Sequence, residues 1–458
     1  MNLKFETMIN QVETELYERL KAKFDLVLMQ CTQPEMRELR SNAYEIFQET
    51  GFPTIKNEEW RFTNLQPFLK DNYELEIVPH AISVEESGAA AHLIASHTEA
   101  IQQSLKGEQK GAYRLVLMNG VMSPQHSFLP EESMLRILPF EAAKDTAGFK
   151  KYFGKIASLK DNGLAALNTA MFSDGIYIEA PKNAVLDKPL HIIHVMITGN
   201  NVWVQPRSLF VIQEHASVEV IETVITDKRD RAIFVNAVSE AALETGAHFH
   251  HYDIQTGRAA SRFVKRMEVS QATHSNYSNY TFSFPGADLI RNNLTLHLND
   301  KDLESHLYGL YLAADKQLVD NHTEVHHKFP NGESNQLYKG ILLDESRAVF
   351  NGKIYVYEDA QKTNAFQQSN NLLFSDKATV NAKPQLEIFA DDVKCSHGTT
   401  IGQMDKEALF YLQSRGIGAQ SARTLMMAAF AFDVTEKVKN PTLRSYLEKE
   451  IRKIMAGD

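Results

Sequence analysis

The spacing of apolar residues changes twice along this chain, which divides it into three stretches. In the first stretch the spacing is helical. From Phe5 to Leu20 apolar residues recur every three or four positions, which predicts a helix with one apolar face. A second helix is predicted to begin with a proline in its first turn and to stop at Gly51. Thr32 and Glu35 have the spacing of a capping box at its start. Residues 52–172 are mixed, with a strand predicted at 113–120 and helix at 141–170.

From about residue 174 the period falls from 3.6 to 2, in segments rich in Val, Ile and aromatic residues, which predicts strands. A short acidic turn then recurs every 13 to 17 residues. Its positions are Asp300, Asp315, Asn331, Asp344, Asp359, Asp376, Asp391 and Asp405. Such even spacing is typical of a solenoid, in which each rung buries its apolar edge against the next. A parallel β-helix is therefore our first interpretation, and an antiparallel sandwich or barrel is the alternative.

The third stretch begins at Asp405, and its spacing is helical again. Asp405 is expected to cap a helix that Gly416 and Gly418 end, and two further helices are predicted over 421–434 and 441–455. We therefore predict a mainly β chain in three regions. These are a helical and mixed N-terminal region (1–172), a parallel β-helix core (173–403) and a helical C-terminal region (404–458).

The composition indicates the cellular setting of the chain and excludes some classes of partner. The 458 residues include 48 Lys and Arg against 58 Asp and Glu, and this net charge of −10 argues against a nucleic-acid partner. Two cysteines are too few for a disulfide framework and indicate a reducing, cytoplasmic setting. The N-terminus lacks the apolar run of a secretory signal, and the longest apolar run near the C-terminus covers residues 425–432, so we expect no membrane partner.

Cys395 and His397 are the first candidate site. They are two positions apart, so an extended strand presents both on one face, and thiolate with imidazole is a ligand pair for zinc or an iron–sulfur centre. Two ligands cannot complete a four-coordinate site, so the others would come from elsewhere in the fold or from a partner subunit. The alternative is a cysteine that only packs in the core.

His322, Glu324 and His326 are the second candidate, because they alternate onto one strand face and could hold Zn²⁺ or Fe²⁺. A solvated polar face is the plainer explanation. If the metal is real, the chain is a stand-alone metal-dependent β-helix enzyme. The sequence has no P-loop, since its two Gly-Lys pairs are each followed by Ile, so we do not expect it to hydrolyse ATP.

Residues 332–417, from GESNQLYKG to YLQSRGI with the KCSHG motif between them, closely resemble the SufD family of iron–sulfur cluster assembly proteins. The likeness is strongest over 320–434 and reaches EEWRFTNL (58–65) more loosely. It implies a right-handed parallel β-helix flanked by helical regions. It also implies a non-catalytic scaffold subunit of a SufBCD-type complex.

The resemblance implies partners as well. A SufB-like paralogue would pair along the β-helix, and a SufC-like ABC ATPase, through which alone ATP would enter, would dock on the C-terminal helices. Cys395 and His397 would lie near the SufB interface, with His397 the cluster ligand from this subunit to a transient, nascent iron–sulfur cluster shared with the partner. A homodimer of the isolated chain and a reduced flavin in the complex are further expectations.

SufB-like chains carry a cysteine in the segment that matches residues 364–371, where this chain has Gln367, Gln368 and Ser369. The departure favours SufD over SufB and leaves Cys395 as the candidate thiol. A purely structural partner for SufB, with Cys395 and His397 as packing residues, is a third interpretation.

Overall fold

From Ile176 onward the strands alternate between two facing sheets, except that the consecutive strands Val202–Val204 and Arg207–Ile212 lie in the same sheet. This arrangement makes the core a parallel β-solenoid of about eight turns. The computed structural model describes residues 2–75, 88, 91–95, 111–197, 200–226 and 231–456. Sheet A comprises β1 (Glu74–Leu75), β4 (Arg136–Pro139), β5 (Ile176–Ala180), β7 (Val202–Val204), β8 (Arg207–Ile212), β10 (Ile233–Leu243), β12 (Ser261–Gln271), β14 (Leu289–Leu298), β16 (Leu318–His327), β18 (Arg347–Val356) and β20 (Thr379–Ile388). Sheet B comprises β2 (Tyr113–Met118), β3 (Val121–Met122), β6 (Leu190–Met196), β9 (Ser217–Thr226), β11 (His248–Gln255), β13 (Asn276–Ser283), β15 (Glu304–Ala313), β17 (Glu333–Leu342), β19 (Asn364–Leu373) and β21 (Lys394–Gln403).

One full turn of the solenoid spans about twice the interval seen in the sequence. Leu289 pairs with Leu318, and Leu318 with Arg347, a step of 29 residues each time. The recurring acidic corner therefore marks half a turn of the solenoid, which consists of one strand and one corner. Asp315 and Asp344 occupy corners with φ of 53° and 50°, a left-handed conformation that Asp and Asn tolerate better than most residues. The parallel solenoid is confirmed over the sandwich, while its right-handedness and the three-domain division stay predictions.

Two groups of helices flank the solenoid. The N-terminal group is α1 (Asn2–Gln30), α2 (Pro34–Thr50), a short 3-10 helix (Glu58–Trp60), α3 (Gln66–Leu69), α4 (Phe140–Ala143), α5 (Ala147–Tyr152) and α6 (Gly163–Met171). The C-terminal group is α7 (Lys406–Ser414), α8 (Ala419–Thr435) and α9 (Pro441–Ala456). None of the helices among the described residues is long and apolar enough to cross a membrane.

The helix predictions are confirmed in outline and corrected in detail. The side chains of residues 2–14, which carry most of the first apolar stripe, lie outside the described part, whereas Leu16 and Leu20 are buried as the stripe predicts. The capping box is wrong, because α2 is preceded by Gln33 as its N-cap, without a side-chain hydrogen bond. The helix predicted over 141–170 is three short helices instead. Asp405 caps α7 as predicted, accepting hydrogen bonds from the amides of Glu407 and Ala408.

The N-terminal region is fastened to the outer face of sheet A through the buried carboxylate of Glu240. Its two oxygens accept hydrogen bonds from the amides of Gly154 (3.0 Å), Ile156 (2.9 Å) and Ala157 (2.9 Å). Arg207 Nη2, equally buried, donates to the same carboxylate at 2.6 Å. Because a charge without partners is costly in the interior, this pair fixes the path of the loop between α5 and α6.

The C-terminal helices cover the outer face of sheet B. Val434, Leu447 and Ile451 are buried against a ladder of stacked tyrosines, of which Tyr252 and Tyr280 have ring centroids 4.5 Å apart. Around this apolar contact, Lys339 pairs with Asp433, and Asn440 Nδ2 donates to Glu219 Oε1 at 2.7 Å. The solenoid therefore has both outer faces partly covered, one by each terminal region.

The solenoid interior is apolar at its corners and polar at its centre. Glu222 Oε2 and Oε1 lie 3.0 Å from the Nε2 atoms of His194 and His251, and Lys265 Nζ donates to Asp253 Oδ2 at 2.5 Å. Burial alone would raise the pKa of Glu222, but the two histidine contacts hold it well below its usual range. A charged cluster is thus enclosed between the sheets.

The buried His327 predicts that the fold weakens in mild acid. Burial lowers its pKa to about 3. Below pH ~6.5 the unfolded chain takes up a proton at this residue that the folded chain excludes, so up to about 1.4 kcal/mol of stability per pH unit is lost as pH falls from there towards 3. In urea denaturation at pH 7 and pH 5.5, His327→Gln should lose less stability between the two values than the parent. The exposed His274→Gln is the control, and equal losses in parent and His327→Gln would refute the assignment.

Candidate functional site

The last turn of the solenoid, β20 and β21, is an open edge. These strands stand at the end of their sheets, each with one neighbouring strand in its sheet, and most residues of β21 are exposed. The free backbone groups of such an edge are a template for another strand. Large apolar side chains also lie exposed on or beside it, including Phe389 at 63%, Ile401 at 48% and Phe366 at 41%. This end of the molecule therefore has both marks of a protein interface.

Cys395 and His397 are both on β21 and continue the inner face of sheet B. Cys395 pairs with Ala365 and His397 with Gln367, and these two partners on β19 are buried inside the solenoid. Since side chains keep their face along a stack of parallel strands in register, Cys395 and His397 extend two interior columns to the point where they meet solvent. Their placement on one strand face agrees with the spacing in the sequence.

The thiol of Cys395 is half-buried. It packs against an apolar cluster that includes Ile354, Val356 and Ala390. Burial raises the pKa of the thiol, and a backbone hydrogen bond at Ala365 offsets only part of that rise. At neutral pH the group is therefore mainly the thiol, and metal binding would have to displace its proton. Both cysteines of the chain are free.

His397 is exposed, and the polar residues behind it are ones that the sequence analysis did not single out. Gln367 Nε2 donates to Gln336 Oε1 at 3.3 Å, and Thr323 Oγ1 donates to the same oxygen at 2.7 Å. The signal that could have found them is the run of polar residues at alternate, inward-facing positions of these strands. Among the residues that the structure describes, no three His, Cys, Asp or Glu side chains are grouped so as to hold a metal ion. Within the described part of the chain, the pair at the open edge could therefore supply two ligands at most, and a complete metal site would need others.

The second candidate site lies on the outer face of sheet A, and its three members belong to two separate sets of contacts. His322 Nδ1 lies 3.2 Å from Glu59 Oε2, and His322 Nε2 lies 2.8 Å from Asp320 Oδ1. Glu324 Oε1 is 2.8 Å from His326 Nε2. The ring nitrogens of His322 thus face two carboxylates of their own, and the geometry does not bring His322, Glu324 and His326 around one point.

Glu59, in the EEWRFTNL segment, is the residue that this outer face holds. Besides His322, its carboxylate accepts hydrogen bonds from Asn351 Nδ2 (2.9 Å) and Lys353 Nζ (2.5 Å). The hydrogen bond with His322 and the contacts with Lys353 outweigh burial and lower the pKa of Glu59 to about 2. The segment is therefore clamped to β16 and β18 as an anion. Sequence reasoning singled the segment out by resemblance but gave no role to this glutamate.

A shallow apolar groove lies between α8 and α9. Its volume is about 550 Å³, and it is lined by Leu425, Ala428 and Phe432 on one side and by Ile451 on the other. Leu425 and Phe432 are about half exposed. The apolar face of α8 is thus only partly used for packing within the chain.

Comparison with known proteins finds two family models that together match most of the chain. The family model of the SUF system FeS cluster assembly SufBD core domain matches residues 195–430, and that of the SufBD protein N-terminal region matches residues 10–105 and 107–192. An iron–sulfur cluster assembly SufBD family protein of Synechocystis is 30% identical over 452 residues, 95% of each chain. The iron–sulfur cluster assembly protein SufD of Escherichia coli is 28% identical over 411 residues, 89% of this chain and 90% of that protein. A chloroplastic protein of Arabidopsis thaliana, ABCI7, is 27% identical over 435 residues, 92% of this chain and 86% of that protein.

The environment of Cys395 predicts slow reaction with alkylating agents. In a Cys31→Ser background, the rate of iodoacetamide modification should reach its half-maximum above pH ~8.5, because burial favours the uncharged thiol. The same variant unfolded in urea is the matched control and should titrate near ~8.5. A plateau in the folded protein already below pH ~8 would contradict the raised pKa.

Proposed function

Because this chain belongs to the SufBD family of the SUF system for iron–sulfur cluster assembly, we propose that it is a SufD-type scaffold subunit that contributes His397 and Cys395 to a cluster shared with a SufB-like paralogue. One observation carries the proposal: the C-x-H pair stands where the interior of the solenoid opens at an unpaired edge. The cluster is cargo, held transiently and passed on. The chain itself performs no catalysis in this role, and a cytoplasmic setting is part of the proposal.

The open edge supports strand pairing with the paralogue. Backbone N–H and C=O groups of β20 and β21 are free to continue each sheet, and the exposed Phe389 and Ile401 would become buried on contact. A second copy of this chain would use the same edge when the paralogue is absent. Homodimer and heterodimer would then be mutually exclusive.

The chemistry of the pair suits iron. Thiolate and imidazole both ligate iron–sulfur centres, and replacing a thiolate with an imidazole is a known way to change a cluster's properties. With two ligands from this subunit, a tetrahedral iron still needs two from sulfide or from the partner. Half a coordination shell at a subunit boundary fits a site that must release what it builds.

The groove between α8 and α9 supports docking of a SufC-like ABC ATPase. Its half-exposed Leu425 and Phe432 give an apolar anchor, and the rim carries Glu448 and Arg452. Because this sequence has no P-loop, ATP would act only through that partner. Reduced flavin stays a prediction for the assembled complex, and no residue of this chain is assigned to it.

Removing the imidazole of His397 should impair assembly without dissolving the complex. We expect His397→Ala, co-expressed with its SufB-like and SufC-like partners, to form cluster about tenfold less well in anaerobic reconstitution followed by absorbance, a loss typical of damaged metal sites. Thr399→Ala, two residues further along the same inner face, is the control and should behave as the parent. Unchanged assembly in His397→Ala would remove this residue from the site.

The Cys395→Ala, His397→Ala double variant separates the scaffold from a purely structural role, because packing residues alone would leave assembly intact. Metal analysis of the single chain tests the enzyme alternative. Stoichiometric iron or zinc bound without a partner, and lost on His322→Ala, would favour the metal site at His322, Glu324 and His326.

A charge in the groove should release the ATPase. Phe432→Asp is expected to weaken binding of the SufC-like partner by about 2 kcal/mol, or about 30-fold, because it places an unpaired charge in an apolar contact. Titration calorimetry measures this directly. Phe128→Asp, a similarly exposed phenylalanine remote from the groove, is the matched control. Equal affinity of Phe432→Asp and the parent would rule out the groove as the docking site.

A further inference from the structure

A polar cleft of about 510 Å³ separates the N-terminal region from the outer face of sheet A, on a different face from the open edge. One wall is made by Trp60 and the start of α6, and the other by outward side chains of β12, β14, β16 and β18. Its size is that of a small-molecule site. The role proposed above for the chain makes no use of it.

Three of the four acidic side chains that line the cleft are already paired within the protein. Glu58 pairs with Lys383, Glu59 with Lys353 and His322, and Glu324 with His326. Asp161, at the rim, is exposed to solvent. The carboxylates of Glu58, Glu59 and Glu324 therefore already have basic partners, and Asp161 is the one that faces solvent.

Two cations, in contrast, keep donors available. Arg266 donates through Nε to Glu268 Oε1 at 2.6 Å, and among the described residues its two terminal nitrogens have no hydrogen-bond partner. Lys160, which also lines the cleft, pairs with no residue in the described part of the chain. Lys160 and the terminal nitrogens of Arg266 therefore remain available to a ligand in the cleft.

The N-terminus of α6 adds to this positive character. The helix begins at Gly163, and Gly163, Leu164 and Ala165 line the cleft. Asn162 caps the amide of Ala165 at 3.1 Å, while the other first-turn amides have no partner within the helix. Such a helix end carries a partial positive charge that attracts anions.

Two buried polar atoms on the opposite wall point to a ligand independently of the helix end. Arg291, 1% exposed, has a buried Nε without a hydrogen-bond partner, and Asn351, 5% exposed, has a buried Oδ1 without one. Both side chains line the cleft. Buried polar groups are nearly always hydrogen-bonded, so one donor and one acceptor just behind this wall lack the partners that such groups normally have.

We infer that the cleft binds a small phosphate-bearing metabolite that also carries hydroxyl groups. The phosphate would lie between the start of α6, Arg266 and Lys160, because two full cations with a helix N-terminus suit a dianion better than a single carboxylate. A hydroxyl would donate to Asn351 Oδ1 after a rotation of that side chain exposes the oxygen to the cleft. Since α6 and Trp60 belong to the N-terminal region and the other wall to the solenoid, the ligand would join the two.

Titration calorimetry of the full chain with ribose 5-phosphate tests the assignment. Saturable binding is expected, with unphosphorylated ribose giving none. Arg266→Gln should weaken affinity about tenfold and Lys160→Gln about threefold, as expected for losing one charge-assisted contact inside and one at the rim. Lys316→Gln, an exposed corner lysine on the solenoid, is the matched control and should bind as the parent.

Lys160→Gln changes only an exposed side chain, so it keeps the test valid if Arg266→Gln fails to fold. Absence of saturable binding, or equal affinity in the parent and Lys160→Gln, would overturn the site. Saturable binding of citrate without binding of ribose 5-phosphate would overturn the phosphate assignment. Because none of these readouts involves cluster assembly or the two partners, their failure is distinguishable from failure of the scaffold role.

Discussion

A ladder of parallel strands always has two ends, and this structure treats its two ends differently. At the first, β3 and β4 run antiparallel to their neighbours and stop the ladder. At the last, β20 and β21 have free outer edges. Every other feature of functional interest is arranged around that asymmetry. The terminal regions partly cover the outer faces of the sheets, the polar interior is enclosed between them, and Cys395 and His397 lie at the open end.

Much of this arrangement could be predicted because it is local. Period-2 alternation marks strands, evenly spaced acidic corners mark a solenoid, and Cys395 and His397 share a face because they are two residues apart. The corner spacing was read correctly but described half a turn. Only the pairing of Leu318 with Arg347 gives the full repeat. The misplaced cap of α2 is an error of one residue, where Gln33 stands in place of the better capping residue Thr32.

The remainder depends on contacts that no local pattern contains. Glu59 meets His322 across 263 residues, and Glu222 meets His194 and His251 across 28 and 29. A glutamate in a strand is ordinarily a surface residue, so its burial with two histidines follows only from which strands stack. The same applies to the metal-like triplet on β16. Its residues do alternate onto one face, but Glu59 from a distant segment and Asp320 from the same strand contact His322. Glu324 and His326 are left paired with each other.

Solenoids are stabilised turn by turn, each turn by those beside it. An interior turn such as that of β14 and β15 has a neighbour above and below, whereas the turn of β20 and β21 has one. The free energy of local opening should therefore fall towards this end, and Cys395 and His397, the residues proposed to bind the cluster, belong to its last cooperative unit. Fraying there would expose Cys395, now half-buried, and closing would bury it again. The free energy of opening of this terminal turn therefore determines how often the Cys395 thiol is accessible. A partner bound to the edge would raise that free energy and so protect the thiol.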